Sequence, residues 1–313
     1  MRSETTRPLK VGLLLSVAEG SAGERWANLK AMARHAEAAG FDSLWIADHM
    51  SVPVSPGEPE RGRWECWSIL AALAAVTERV ELGTLVTCTS FRNPALLAKM
   101  ADTVEEISDG RLILGLGAGY YEPEYRAFGF PFDHRVGRFE EALQIVYGLL
   151  RRGTIDFNGQ YYQARDCELT PRGPRPGGPP ILIGARADRP RALRLVAQYA
   201  DQWNISLNSA DGLAAVRDAV DKACTKLGRD PATLQRTVHA LIDLPGLQGS
   251  EVSEAVLAHR AARGPATGSS EELVEHLRAF ERAGIDHVQL WLEPNTMAGI
   301  DAFLPVLELL DRG

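Results

Sequence analysis

The sequence predicts a single (β/α)8 barrel, the TIM-barrel fold, over residues 1–313. Short apolar segments alternate with amphipathic helical segments along the chain, and eight such pairs are present. No low-complexity tract or long linker interrupts them, and the length suits one large domain. Strands that alternate with helices build a parallel sheet. Eight regular units without a clear halving favour a closed barrel over a doubly wound open sheet.

The predicted elements follow one another in regular order. The eight apolar strand segments are residues 11–17, 42–48, 80–90, 111–117, 179–185, 201–207, 236–244 and 286–293. The helical segments that follow them are residues 24–40, 65–78, 93–110, 134–152, 189–200, 211–227, 269–284 and 298–312. The third helix has the clearest boundaries, because Asn93 can cap it, Pro94 suits its first turn and Gly110 ends it.

One segment departs from the alternation of strand and helix. After the fourth long helix, residues 154–164 read "TIDFNGQYYQA". Asn158-Gly159 is typical of a two-residue hairpin turn. We therefore predict a small β-hairpin inserted after the fourth helix of the barrel.

Composition and charge exclude several classes of protein. The chain is 45% hydrophobic with a net charge of −7, which argues against a nucleic-acid-binding surface. We expect no secretory signal at the N-terminus, and the longest apolar run is far shorter than the roughly 18 residues that span a bilayer. We expect a cytoplasmic protein without a metal site. The cysteines have no disulfide or metal-ligand spacing and are expected to pack in the core; they are Cys66, Cys88, Cys167 and Cys224.

The fourth predicted strand ends in glycines at alternate positions. In "RLILGLGAGYYEPEY", Leu112, Leu114 and Leu116 share the face toward the helices, and Gly117 and Gly119 share the face toward the barrel axis. The missing side chains leave space to be filled by other strands or by a ligand. A dinucleotide-binding fingerprint is the alternative. The spacing is G-x-G-x-G rather than G-x-G-x-x-G, and no clear helix start follows at once.

Two further strand ends carry chemically active side chains. Asp48 and His49 follow the second strand, where a barrel places its functional loops. A histidine at that position is a candidate acid/base group. Gly184 and Arg186 follow the fifth strand at the start of a helix. Helix N-termini attract anions, so this turn is either a phosphate site or a solvated basic turn.

These motifs, in this order, resemble a known family. "GFDSLWIADH", "LGTLVT", "FRNPALLAKMADTVEEISDGRLILGLGAGYYEPEYRAFGFPF", "NGQYY", "PPILIGA" and "YADQWN" resemble the bacterial luciferase-like flavin and deazaflavin oxidoreductases over about residues 10–205. The resemblance is specific to the superfamily and much less specific to the substrate.

The resemblance implies that a deazaflavin or flavin ring lies over the carboxyl ends of the barrel strands. Gly117 and Gly119 would leave room for the cofactor, and Leu85-Val86 matches the place where such proteins often have a non-proline cis peptide. The residues expected to bind the cofactor are Leu85, Val86, Thr87, Gly117, Gly119, Tyr120, Tyr121, Gly184, Ala185 and Arg186.

Within the family, "GLGAGYYEPEYRAFGFPF" is most similar to the branch that uses coenzyme F420. His49 then matches a residue that handles the substrate proton, and Asp48 would lie against the reactive edge of the cofactor. The chain departs from the family in three places. The fifth strand ends in "GARAD" rather than a double glycine, Tyr120 stands where some sugar-phosphate-oxidising relatives have an acid, and the lid at about residues 245–269 is short.

The resulting functional hypothesis is a two-electron oxidoreductase that transfers hydride between F420 and a small organic substrate. The alternatives are an FMN-dependent monooxygenase that uses O2 with a partner reductase, and an F420-binding barrel without turnover. A homodimer, and a separate F420 or flavin reductase as partner, are further implications of the resemblance.

Overall fold

The computed structural model describes residues 7–53, 57–244, 246–247, 258–259 and 261–312. Eight parallel strands form a barrel that closes by pairing of the first with the last and of the fourth with the fifth. The predicted TIM-barrel fold is therefore confirmed. The barrel strands are β1 (Lys10–Leu14), β2 (Ser43–Ile46), β5 (Glu81–Thr84), β7 (Leu112–Gly117), β10 (Ile181–Gly184), β11 (Gln202–Ser206), β12 (Gln235–Asp243) and β13 (His287–Glu293).

Shorter strands lie outside or at the end of the barrel wall. They are β3 (Ser51–Pro53), β4 (Glu60–Gly62), β6 (Thr87–Cys88), β8 (Thr154–Asn158) and β9 (Gln163–Glu168). The α-helices of the described residues are α1 (Trp26–Ala39), α2 (Cys66–Ala74), α3 (Pro94–Ile107), α4 (Glu122–Phe128), α5 (Arg135–Arg152), α6 (Pro190–Tyr199), α7 (Leu213–Lys226), α8 (Ser270–Arg282) and α9 (Met297–Asp311).

Strand β7 shows why the barrel has two apolar regions. Leu112, Leu114 and Leu116 are fully buried in the large core between the strands and the outer helices. Ile113, on the opposite face of β7, packs with Trp45 and other residues inside the barrel. This alternation confirms the prediction for the fourth strand, and it places Gly115 and Gly117 on the inner face.

The interior of the barrel below this apolar layer is polar and hydrogen-bonded. The Ser43 hydroxyl lies 2.7 Å from Nε2 of His287 and accepts a hydrogen bond from the Trp45 indole N–H at 2.6 Å. Burial lowers the pKa of His287 to about 3, with a further contribution from the positive charge of Lys10. His287 is therefore a neutral imidazole that bridges strands across the barrel.

Both hairpins are antiparallel, and one of them was not predicted from the sequence. Strands β8 and β9 form the expected insertion, but Asn158 pairs with Gln163, so four residues rather than two connect the strands. The Glu141 carboxylate accepts hydrogen bonds from three successive amides in this connection and holds it open. The second hairpin, β3–β4, lies in the loop after the second barrel strand.

The remaining expectations concern the cysteines and the lid. All four cysteines are unpaired, and Cys66, Cys88 and Cys224 are buried. Much of the proposed short lid at about 245–269 lies outside the described residues.

Among the described helices, none has the length and apolar character needed to cross a bilayer.

The buried His287 predicts a specific loss of stability in acid. Its folded-state pKa of about 3 lies below the ordinary histidine value, so the unfolded chain binds a proton that the folded chain does not. The stability that the neutral His287 contributes is fully present above about pH 6.5. As the pH falls below this toward the folded-state pKa, the free energy of unfolding decreases by about 1.4 kcal/mol per pH unit.

Between pH 6.5 and 4, we expect His287→Gln to lower the slope of the unfolding free energy against pH by the equivalent of about one bound proton. Urea unfolding at several pH values in this range measures that free energy. His134→Asn serves as the control, because His134 is exposed and asparagine tolerates its left-handed backbone. An unchanged slope in His287→Gln would contradict the assignment.

Candidate active site at the carboxyl ends of the strands

The carboxyl ends of the barrel strands surround an apolar surface. Leu85, Val86 and Trp291 are partly buried and pack on the inner layer of the barrel. That layer consists of Leu14, Trp45, Ile113 and Leu182. We call Leu85, Val86 and Trp291 the apolar floor, because a flat ligand can stack on them from the open side.

The inward-facing glycines of β7 make room for backbone and side-chain atoms of the segment that follows the neighbouring strand. A Cβ on Gly115 would lie 1.9 Å from the carbonyl oxygen of Thr84, and one on Gly117 would lie 2.7 Å from Cγ2 of Val86. The Leu85–Val86 peptide bond is cis. Val86 therefore fills the space beside Gly117 and itself becomes part of the floor. Contact of a cofactor with Gly117 stays a prediction.

Gly119 must also be a glycine, because a side chain there would collide with neighbouring side chains. It has a φ of +68°, and a Cβ there would lie 2.1 Å from the Tyr125 hydroxyl and 2.5 Å from Sγ of Cys88. Tyr125 is fully buried and donates its hydroxyl proton to the carbonyl oxygen of Ala118 at 2.8 Å. The space beside Gly119 thus belongs to Tyr125 and Cys88 rather than to a ligand.

The end of β10 is the open part of the rim. A Cβ on Gly184 would have only the carbonyl oxygen of Asn204 within 4 Å, at 3.9 Å. Ala185 is buried, and its amide donates to the same oxygen at 3.1 Å. Arg186 is exposed and pairs with Asp188 at 3.2 Å, shortly before α6 begins. This turn offers free space, an exposed cation and a helix N-terminus together.

Asp48 is held in a buried ion pair. Arg92 donates to both of its carboxylate oxygens at 2.6 and 2.9 Å, and the Cys88 amide donates to one of them at 2.9 Å. Burial raises the pKa of Asp48, although the hydrogen bonds from Arg92 oppose this. Arg92 also pairs with Glu65, whose side chain caps α2. Asp48 therefore anchors the ends of the second and third barrel strands, and its hydrogen-bonding capacity is occupied there.

His49 is the exposed partner of a buried carboxylate. Its side chain is 21% exposed, and its Nδ1 lies 2.9 Å from Oε2 of Glu124, which is 1% exposed. The other oxygen of Glu124 accepts hydrogen bonds from the Met50 and Ser51 amides at 2.5 and 3.0 Å. The imidazole ring meets the Tyr120 ring edge-on at 5.5 Å between centroids. His49 is thus oriented on one side and faces the rim on the other.

The two tyrosines after β7 take different positions. Tyr120 is 70% exposed beside His49, whereas Tyr121 donates its hydroxyl proton to Glu60 of the β3–β4 hairpin at 2.9 Å. Thr87 is buried, and its hydroxyl has no hydrogen-bond partner among the described residues. Tyr120 therefore belongs to the site, and Tyr121 connects the site to the hairpin.

Sequence reasoning missed two features of this rim. Helix α4 begins at Glu122, directly after the glycine-rich strand, and carries Glu124 to His49. His239 of β12 lines a cleft of about 480 Å³ with Ser206 and Arg263. Burial, together with the positive charge of Arg263, lowers the pKa of His239 to about 4. The alternation of β12, which places His239 on the face opposite the buried Val238 and Ala240, is the sequence signal for it.

Comparison with known proteins identifies the family. The family model described as luciferase-like monooxygenase matches residues 9–242. Because this match covers most of the chain, the protein belongs to the luciferase-like monooxygenase family.

Relatives within the family include both ketone-reducing and oxygen-using enzymes. The chain is 30% identical over 292 residues to the phthiodiolone/phenolphthiodiolone dimycocerosates ketoreductase of Mycobacterium kansasii, covering 85% of this chain and 78% of the relative. It is 34% identical over 207 residues to the pyrimidine monooxygenase RutA of Methylobacterium radiotolerans, covering 63% of this chain and 51% of the relative.

Among solved structures, an F420-dependent secondary alcohol dehydrogenase in complex with an F420-acetone adduct superposes with a TM-score of 0.80 at 20% identity. The superposition covers 96% of this chain and 99% of that chain, and it shows a shared fold.

The ion pair of Asp48 yields a stability prediction. Arg92→Met removes the cation from a carboxylate that is 2% exposed, and we expect a loss of about 3–5 kcal/mol of unfolding free energy. Arg186→Met is the matched control: its ion pair is exposed, so the loss should be below about 1 kcal/mol. Urea unfolding of the two variants measures both values. If both variants lost the same small amount of unfolding free energy, the buried Asp48 carboxylate would not depend on a cation for its stability.

Proposed function

We propose that this protein is an oxidoreductase that transfers a hydride between the deazaflavin coenzyme F420 and a small organic substrate. The observation that carries the proposal is the position of His49. It follows strand β2, which pairs with the strand that leads into Leu85 and Val86 of the apolar floor, and one of its ring nitrogens is bound to a buried carboxylate. A partly exposed imidazole, oriented by a buried carboxylate at the carboxyl ends of the barrel strands, suits proton exchange with a bound substrate.

The described residues fit a flat heterocycle that carries a phosphate. Leu85 and Val86 provide apolar surface for the ring, and Gly184 leaves the strand end free of side chains. Arg186 and the first turn of α6 supply positive charge and free amides for the phosphate. When bound, F420 would supply the hydride chemistry, and the protein would position the substrate and handle its proton.

The residues of the chain have distinct roles in this proposal. His49 accepts or donates the substrate proton, and Tyr120 covers it from the side of β7. Asp48 acts indirectly, because Arg92 and the Cys88 amide occupy its carboxylate. Trp291 contributes the third apolar side chain of the floor.

An FMN-dependent monooxygenase is the second candidate. The RutA relative, a pyrimidine monooxygenase, favours it, whereas the ketoreductase relative, which matches over more of the chain, favours reduction of a carbonyl group. An enzyme of the second kind would need O2 and a partner reductase.

Parallel titrations distinguish these possibilities. We expect F420 to quench protein fluorescence and raise the melting temperature at lower concentrations than FMN does. Tighter binding of FMN, with O2-dependent hydroxylation of a substrate, would support the monooxygenase instead. Binding of F420 without turnover of any alcohol or ketone in a broad panel would indicate a binding protein. Failure of both cofactors to bind would overturn the proposal.

Replacement of the proton-handling residue should separate binding from turnover. We expect His49→Ala to bind F420 with unchanged affinity and to lose roughly 10²–10⁴-fold in turnover, the usual contribution of a general acid/base. His35→Ala is the control, because His35 lies on the outer helix α1 and pairs with Asp301 of α9. The measurement is single-turnover F420 absorbance together with a fluorescence titration. Near-normal turnover of His49→Ala would remove this role.

A further inference from the structure

Glu124 stands in an unusual position for a carboxylate. Its side chain is 1% exposed and makes its direct ion pair with His49, while the Arg63 guanidinium lies near enough to interact with it electrostatically. It is bound by the His49 ring and by two backbone amides of the loop that carries His49. Its helix, α4, leaves the carboxyl end of a different barrel strand. Glu124 therefore connects the fourth strand of the barrel to the candidate acid/base group of the second.

The protonation state of Glu124 decides the protonation of His49. Burial by itself would raise the pKa of Glu124, but the hydrogen bonds from His49 and from the Ser51 and Met50 amides outweigh burial and hold it below the ordinary value. Glu124 is thus an ionised carboxylate at neutral pH. An ionised carboxylate only accepts hydrogen bonds, so the proton between the two groups lies on Nδ1 of His49.

We propose that Glu124 is a positioning residue that holds His49 in the tautomer with a proton on Nδ1 and a free lone pair on Nε2. This inference rests on the proposed function for its catalytic meaning. When bound, F420 would accept the hydride, with its C–H electron pair, from a substrate CH–OH group; Nε2 of His49 would accept the O–H proton as the C=O bond forms. The imidazolium that results stays paired with the Glu124 carboxylate.

The two interactions of Glu124 can be separated by one substitution. In Glu124→Gln the amide oxygen can still accept from the Met50 and Ser51 amides, so the loop keeps its hydrogen bonds. The amide nitrogen, however, can only donate to Nδ1. The neutral imidazole must then carry its proton on Nε2, which can no longer accept a proton from a substrate.

Nitrogen NMR of the cofactor-free protein, labelled with ¹⁵N-histidine, tests the inference directly. We expect His49 in the wild type to show a protonated Nδ1 and an unprotonated Nε2, and the Glu124→Gln variant to show the reverse. The His49→Ala spectrum assigns the signals.

Glu122→Gln is the matched control, because Glu122 is an exposed carboxylate in the first turn of the same helix. It should leave the tautomer of His49 unchanged. A wild-type His49 protonated on Nε2, or an unchanged tautomer in Glu124→Gln, would overturn the inference. The wild-type spectrum alone decides the first point, even if the variant folds poorly.

The outcome is independent of the cofactor. If F420 does not bind, the proposed function fails, but the tautomer of His49 is still measured. If F420 supports hydride transfer and the tautomer is wrong, only the role of Glu124 fails.

Discussion

The candidate site depends on two buried carboxylates that hold the ends of neighbouring strands. Asp48 joins the second strand to the third through the Cys88 amide and Arg92, and Glu124 joins the second strand to the fourth through His49 and the following loop. Buried carboxylates are costly unless their oxygens are bonded, so each of them fixes the groups around it. The exposed ring of His49 is therefore presented from a rigid support.

The glycine-rich strand serves the site in a less direct way than its pattern indicated. Gly115 and Gly117 allow Val86 to lie against β7, and Gly119 allows Tyr125 and Cys88 to approach the backbone. The side chains that fill these spaces form the floor and the wall behind it. A small residue in one strand thus permits a large residue of the next strand to reach the barrel mouth, which is where a ligand would contact it.

Periodicity and end signals were sufficient to predict the eight-fold alternation and the inward face of β7. They were not sufficient for the loops. Helix α4 spans only seven residues, and Pro123 with two glutamates gave no apolar repeat to detect. The four-residue connection of β8 and β9 depends on Glu141, a residue of α5 that lies 19 positions before Gln160. Local sequence does not contain such contacts.

By itself, the sequence determined the barrel, the family and the strand ends at which chemistry is possible, because alternation of strand and helix, glycine stops and ordered motifs are local in the chain. Only the tertiary structure decided which side chains meet there. His49 and Glu124 are separated by 75 positions, and Asp48 and Arg92 by 44. Whether a carboxylate anchors a loop, pairs with a cation or remains free depends on its neighbours in space, and barrel closure determines those neighbours.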